Sequence, residues 1–203
     1  SDVCSSDLVA PPELPIISDK YILRYNNIVN SKKLFFFPTY PRPFKNIEII
    51  CEAIKILNSL NLDFEVIITI DGTENNYSKS IINRYSKLLN LRFIGILSRE
   101  DVYLHYAKSD FLIFPSKLET WGLPISEFKQ FLKPMLVART QYASETVGNY
   151  KYVNFFDVNN PKELAELMEK YINSNFTFEG NTFKGDNKMT VNNWQELFLL
   201  FLK

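Results

Sequence analysis

Apolar residues along this chain alternate between two rhythms. Short runs with little polar interruption occur at residues 34–38 (LFFFP), 65–70 (EVIITI), 91–94, 111–114, 135–138 and 153–156. Such runs read as strands covered on both faces, and β-branched residues reinforce that reading at 65–70. Between them lie segments with helical spacing. From 46 to 60 the apolar positions are Ile47, Ile50, Ala53, Ile54 and Leu57, and segments 77–89, 99–107 and 123–131 also read as helices. Ser98 is placed to cap the helix starting at Arg99, and Pro161 occupies the first turn of the helix through 164–172, where a missing N–H is harmless. Asp71-Gly72 and Pro115 close two of the strands. Strand–helix units of this length predict an α/β fold, a doubly wound parallel sheet with helices on both faces. In such sheets ligands sit beyond the carboxyl ends of the strands, which directs attention to the segments after Phe37, Ile70, Ile94 and Phe114.

Composition narrows the function classes. The 203 residues suffice for one well-cored domain, and 23 basic against 23 acidic residues leave no net charge. No broad positive field favours nucleic acid, so an anion site must be local. Two cysteines, Cys4 and Cys51, form no disulfide framework; Cys51 falls on an apolar helical pattern as a buried thiol. One histidine and no ligand spacing argue against a metal site, and no cofactor is called for. No apolar stretch approaches membrane-spanning length, and a cytoplasmic setting fits best. Residues 1–8 (SDVCSSDL) carry neither signal-peptide logic nor periodicity and are expected to be non-native. Residues 9–20 (VAPPELPIISDK) read as an extended proline-rich linker. The folded unit is therefore expected to span 21–203.

The chemistry concentrates in FPSKLETWGLPISEFK, beginning at Phe114. Glu119 falls in the loop after a strand, and Glu127 lies on the following helix, with seven residues between them. Gly122 and Leu123 open that helix, where unpaired backbone N–H groups attract anions, and Gly122 permits close approach to the backbone. Two carboxylates around a cluster of amide donors suit a hydroxyl-rich molecule bearing phosphate. A second segment, PTYPRPFKN from Pro38 to Asn46, follows the first strand and holds two cations, Arg42 and Lys45, suited to a diphosphate.

The stretch Glu119-Thr-Trp-Gly-Leu-Pro-Ile-Ser-Glu127 resembles the Glu-x7-Glu motif of the family 4 retaining glycosyltransferases, and Lys133-Pro134-Met135 fits the same pattern. The resemblance extends over residues 34–171. It implies the Rossmann-like, nucleotide-sugar-binding half of a GT-B enzyme, with the acceptor-binding domain upstream and missing from this chain. It also implies a hexosyltransferase acting on a nucleotide diphosphate sugar and a glycan or lipid-linked acceptor. By this resemblance Glu119 is catalytic and contacts the donor sugar, while Glu127 holds the ribose. Arg42 and Lys45 meet the diphosphate, and Gly95 and Leu97 flank the base. The sequence departs from the pattern where prolines replace the usual glycine loop and the Arg-to-Lys interval is short, which makes Lys45 the firmer assignment.

Other readings stay open. A sugar-nucleotide epimerase on the same scaffold would require acid–base residues not found here. A non-catalytic nucleotide-binding or receiver-like module would need an acidic cluster at its first strand. Glu145 serves capping as well as it serves a site, and His105 is expected to pack. Residues 191–202 (VNNWQELFLLFL) predict a helix with an apolar face around Trp194, Leu197, Phe198 and Phe201, which suits domain packing or peripheral membrane contact.

Overall fold

The computed structural model describes residues 32–180, so the proline-rich segment, Cys4 and the helix expected at 191–202 lie outside the described residues. Six strands form one wholly parallel sheet: β1 (Lys33–Phe37), β2 (Phe64–Ile68), β3 (Leu91–Phe93), β4 (Phe111–Phe114), β5 (Met135–Ala138) and β6 (Val153–Phe156). Their order is β3-β2-β1-β4-β5-β6. The chain starts in the middle, winds outward to β3, then crosses back to place β4 beside β1, with Phe35 opposite Phe111 and Phe36 opposite Leu112. That reversal is the topological switch point of a doubly wound sheet, the place where sheets of this kind bind their ligands. The doubly wound α/β fold expected from the pattern is the one observed.

Among the described residues six α-helices cover the two faces: α1 (Ile47–Leu57), α2 (Asn76–Tyr85), α3 (Arg99–Lys108), α4 (Leu123–Lys129), α5 (Gln141–Val147) and α6 (Pro161–Ile172). Successive strand residues point to opposite faces, and the β1 phenylalanines show the division. Phe36 stacks on His105 of α3 at 5.2 Å and meets Tyr106 edge-on at 5.6 Å. Phe35 turns the other way, against Phe111 at 4.7 Å, and Phe111 meets Tyr171 of α6 at 4.9 Å. Burying rings of this size stabilises the fold by about 1.5–3 kcal/mol each. Cys51 is a fully buried free thiol, and burial pushes its pKa far above the ordinary thiol range.

Local chemistry sets the helix ends. Ser98 accepts from the Asp101 N–H as expected, Asn75 and Ser78 form a reciprocal capping box at α2, and Asn160 with Pro161 opens α6. Several expected boundaries move. The strand at 65–70 runs instead from Phe64 to Ile68, because the Thr69 hydroxyl exchanges two hydrogen bonds with the Thr39 backbone and draws the chain off the ladder. The helix at 123–131 stops at Lys129 as Leu132 enters the left-handed region at φ 55°. The helix at 77–89 ends at Tyr85. Helix α5, capped by Thr140, carries only three fully buried side chains and shows no long apolar rhythm, which is why periodicity passed over it.

Candidate active site

The two segments singled out in the sequence meet at the switch point. Asn46, between the β1 loop and α1, sits in the left-handed region at φ 58°. From there its buried side-chain amide donates to the carbonyls of Pro115, 3.3 Å away, and Val158, 2.8 Å away. One residue thus ties the β1 loop to the loops after β4 and β6. The Lys117 N–H donates to the Phe44 carbonyl at 2.7 Å, a second strap between the loops. Asn75 anchors the proline-rich segment from the far side through the Pro41 carbonyl. Prolines remove donors from this loop, and side chains from other elements supply the anchoring instead.

Held this way, Lys45 Nζ lies 2.5 Å from Glu119 Oε1, with 18% and 14% of the two side chains exposed. The pair joins the β1 and β4 loops. Arg42 is exposed; its guanidinium rests over the Tyr40 ring at 5.1 Å, and among the described residues it makes no ion pair. The structure therefore brings Lys45 to Glu119 and leaves Arg42 on the rim.

Beyond Glu119 the chain turns at Gly122, whose left-handed φ of 76° starts α4 with no side-chain cap on the helix N-terminus. A Cβ there would lie 3.3 Å from Ile125, 3.4 Å from Tyr142 and 3.6 Å from Phe114, so the position calls for glycine on both counts. Leu123 is exposed beside it. The surrounding loop is braced by Tyr142, whose hydroxyl donates to the Ser116 carbonyl at 2.6 Å, and by Thr146, which donates to the Trp121 carbonyl. The Trp121 indole N–H donates to Ser126.

Glu127 sits in a different setting. Its side chain is 11% exposed, and Oε2 accepts a 2.9 Å hydrogen bond from the buried Tyr106 hydroxyl of α3. Oε1 lies 3.7 Å from the exposed Arg99 guanidinium. Burial raises the carboxyl pKa above the ordinary range, against the opposing pull of Tyr106 and Arg99. Burial, reinforced by the same carboxylate, lifts the Tyr106 hydroxyl well above the usual tyrosine range. Gly95 and Leu97 lie in the β3–α3 loop that leads to Arg99. Gly95 is buried at φ 75° and donates its N–H to the Ile70 carbonyl; a Cβ there would lie 2.9 Å from Asp71 Oδ2, which would have to shift. Leu97 is half-buried against the core.

Arg99, Tyr106 and Asn46 shape this candidate site, and pattern reading passed over them. Only Asn46 carried a local signal, a small polar residue directly before a helical run; the Tyr106–Glu127 contact joins two helices and leaves no local trace. His105 packs on Phe36 as expected, with Nδ1 2.8 Å from the Asp101 carbonyl oxygen. Glu145 pairs with Gln141 on its own helix. Lys133, from the motif's downstream flank, donates to the carbonyls of Tyr106, Ala107 and Ser109 and so closes the C-terminus of α3. Among the described residues no group of three or more His, Cys, Asp or Glu side chains could hold a metal ion, and no helix is long and apolar enough to cross a membrane.

The family described as "Glycosyl transferases group 1" matches residues 21–188. An uncharacterized glycosyltransferase of Methanocaldococcus jannaschii is 26% identical over 132 residues, covering 65% of this chain and 36% of the relative. The chain thus spans about a third of that relative's length. Among solved structures, TarM superposes with a TM-score of 0.62 at 14% identity, covering 74% of this chain and 30% of its own. The Anabaena protein HepE, in complex with UDP-glucose, gives 0.60 at 21%, covering 71% and 40%. Sucrose-phosphate synthase from Thermosynechococcus elongatus gives 0.61 at 14%, covering 80% and 41%. These structural likenesses show a shared fold.

Proposed function

The chain belongs to the glycosyl transferases group 1 family, and from that premise we propose that it is the donor-binding half of a retaining, family 4 hexosyltransferase. In this reading residues 21–203 bind a nucleotide diphosphate sugar, and an upstream domain binds the glycan or lipid-linked acceptor. The observation that carries it is the Lys45–Glu119 ion pair, formed across the switch point of the sheet. HepE, similar in fold, is a structure with UDP-glucose bound, which supports a nucleotide sugar as the ligand.

Transfer breaks the bond between the sugar's anomeric carbon and the diphosphate oxygen. Negative charge collects on the leaving nucleoside diphosphate while the sugar becomes oxocarbenium-like, so preorganised donors at the diphosphate do most to lower the barrier. Lys45 is the central cation, Arg42 swings in from the rim, and the Gly122 and Leu123 amides add uncapped donors. A diphosphate competes with Glu119 for Lys45. As Lys45 turns to phosphate, the Glu119 carboxylate is released to accept from sugar hydroxyls and to face the developing positive charge. Glu127 holds the ribose, and the loop containing Gly95 and Leu97 flanks the base. The acceptor hydroxyl attacks from the face the nucleotide leaves, which retains the anomeric configuration.

Calorimetric titration of the chain with UDP, GDP and UDP-glucose, beside uridine and guanosine, tests the reading. A nucleoside diphosphate is expected to bind, and its nucleoside to bind far more weakly. Absence of heat with every diphosphate, from a protein shown by circular dichroism to be folded, would remove the donor-site assignment. Stereochemistry is checked on the protein carrying the upstream domain, by NMR of the new glycosidic bond; an inverted anomeric centre would rule out retention.

A further inference from the structure

The Glu127 carboxylate accepts one side-chain hydrogen bond of normal geometry, on its Oε2 side. Its Oε2 takes the Tyr106 hydroxyl, which is buried behind α4 among Phe36, Phe128 and Phe131. Its Oε1 lies on the exposed side, where its charged neighbour is Arg99, 65% exposed and 3.7 Å away. A carboxylate with one oxygen pinned from behind keeps the other aimed outward. Without the pin, the group is free to turn and close bidentately on the arginine. The Tyr103 hydroxyl is buried in the same pocket, within electrostatic reach of this carboxylate and of Arg99, but without a hydrogen bond of normal geometry.

We propose that Tyr106 is a positioning residue for nucleoside recognition: its hydroxyl fixes Glu127 so that the outward oxygen reads the ribose hydroxyls of a nucleoside diphosphate. The inference rests on the donor-binding reading above and adds to it the element that gives Glu127 its aim. Tyr106 touches no ligand. It acts from α3 through a glutamate on α4, so ribose recognition depends on the packing of two helices. Tyr103 supplies an internal comparison, since its buried hydroxyl neighbours the same carboxylate but makes no hydrogen bond of normal geometry to it.

The test compares UDP and GDP with their 2′,3′-dideoxy counterparts on the wild type, Tyr106→Phe, Tyr103→Phe, Glu127→Ala and the Tyr106→Phe/Glu127→Ala double variant. The wild type is expected to prefer the ribonucleotide. Tyr106→Phe should lose most of that preference, about tenfold in Kd if one hydrogen bond to a charged group is at stake, while its affinity for the dideoxy ligand holds. Tyr103→Phe should keep the preference, and the double variant should be no worse than Glu127→Ala alone. Equal weakening of both ligands in Tyr106→Phe, equal loss in both tyrosine variants, or full additivity in the double variant would overturn the proposal. A wild type that binds ribo and dideoxy ligands alike overturns it while leaving the donor site standing. A wild type that binds neither removes the donor-site reading, and this inference with it. Thermal melts of each variant, with the ring retained in both Tyr→Phe changes, separate misfolding from loss of aim.

Discussion

The two glutamates of the motif lie close in sequence and in contrasting surroundings. Glu119 is in a loop, reached by a cation from the segment after β1, 74 positions away. Glu127 is on a helix, backed by a buried tyrosine and lined by aromatic rings. The first is held by a partner that a competing anion can take. The second is held by a neutral hydroxyl with no such competitor. A carboxylate paired with a detachable lysine is suited to change partners as charge moves during reaction, and one pinned by a hydroxyl is suited to hold a fixed group of the ligand. The residue type is the same; the backbone element and the partner divide the labour.

The sharpest way to break this contrast is to remove the detachable partner. Lys45→Ala should weaken nucleoside diphosphate binding by about 10- to 100-fold, the range for losing a charge-assisted hydrogen bond to phosphate, with little change in nucleoside binding. Calorimetry that finds equal losses for both ligands would mean Lys45 acts on loop structure alone. Gly122, the joint between the loop and the helix, comes next. Gly122→Ala is expected to cost about 1–3 kcal/mol in urea-induced unfolding, from a left-handed backbone with a Cβ in tight contact. An unchanged midpoint would show that the joint tolerates another conformation. Glu119→Gln should leave UDP binding within about threefold of wild type, or tighten it, because Lys45 is no longer shared. In the same variant the affinity of UDP-glucose relative to UDP should fall. A large loss of UDP affinity would show that the pair is structural rather than exchangeable.

The smallest effect concerns Glu127 and pH. Its folded-state pKa is raised by burial, so folding favours the protonated form. The stability this contributes is fully present below the ordinary glutamate pKa and is lost as pH rises through the raised folded value. Glu127→Gln should therefore melt slightly higher than wild type near neutral pH, with the difference vanishing in acid. A melting difference that grows as pH falls would reverse the sign and show that Arg99 and Tyr106 outweigh burial. Stability gained at a binding residue at the expense of ligand affinity is a common trade.

Much of this was legible in the chain. Uninterrupted apolar runs alternating with helical periods foretold a parallel sheet covered on both faces, since only strands buried on both sides tolerate runs such as LFFF and FLIF. The Glu-x7-Glu spacing, Gly122 and Lys45 were visible because motifs of this kind are local. Strand ends were less so, as at Thr69, where a side chain outcompetes the ladder. Helix α5 and the staple made by Asn46 were missed for a related reason: their stability comes from contacts with segments distant in sequence.

What the sequence by itself determined is the inventory: which segments bury both faces, where the chain must turn, and which charges lie at the carboxyl ends of strands. What the tertiary structure decided is the pairing. Lys45 finds Glu119 because the crossover sets β4 beside β1, and Glu127 finds Tyr106 because α4 packs on α3 through their rings. Periodicity records how each residue relates to its near neighbours. Coulomb attraction and hydrogen bonding act over a few ångströms regardless of sequence separation, so only the order of the strands determines which distant side chains come within reach.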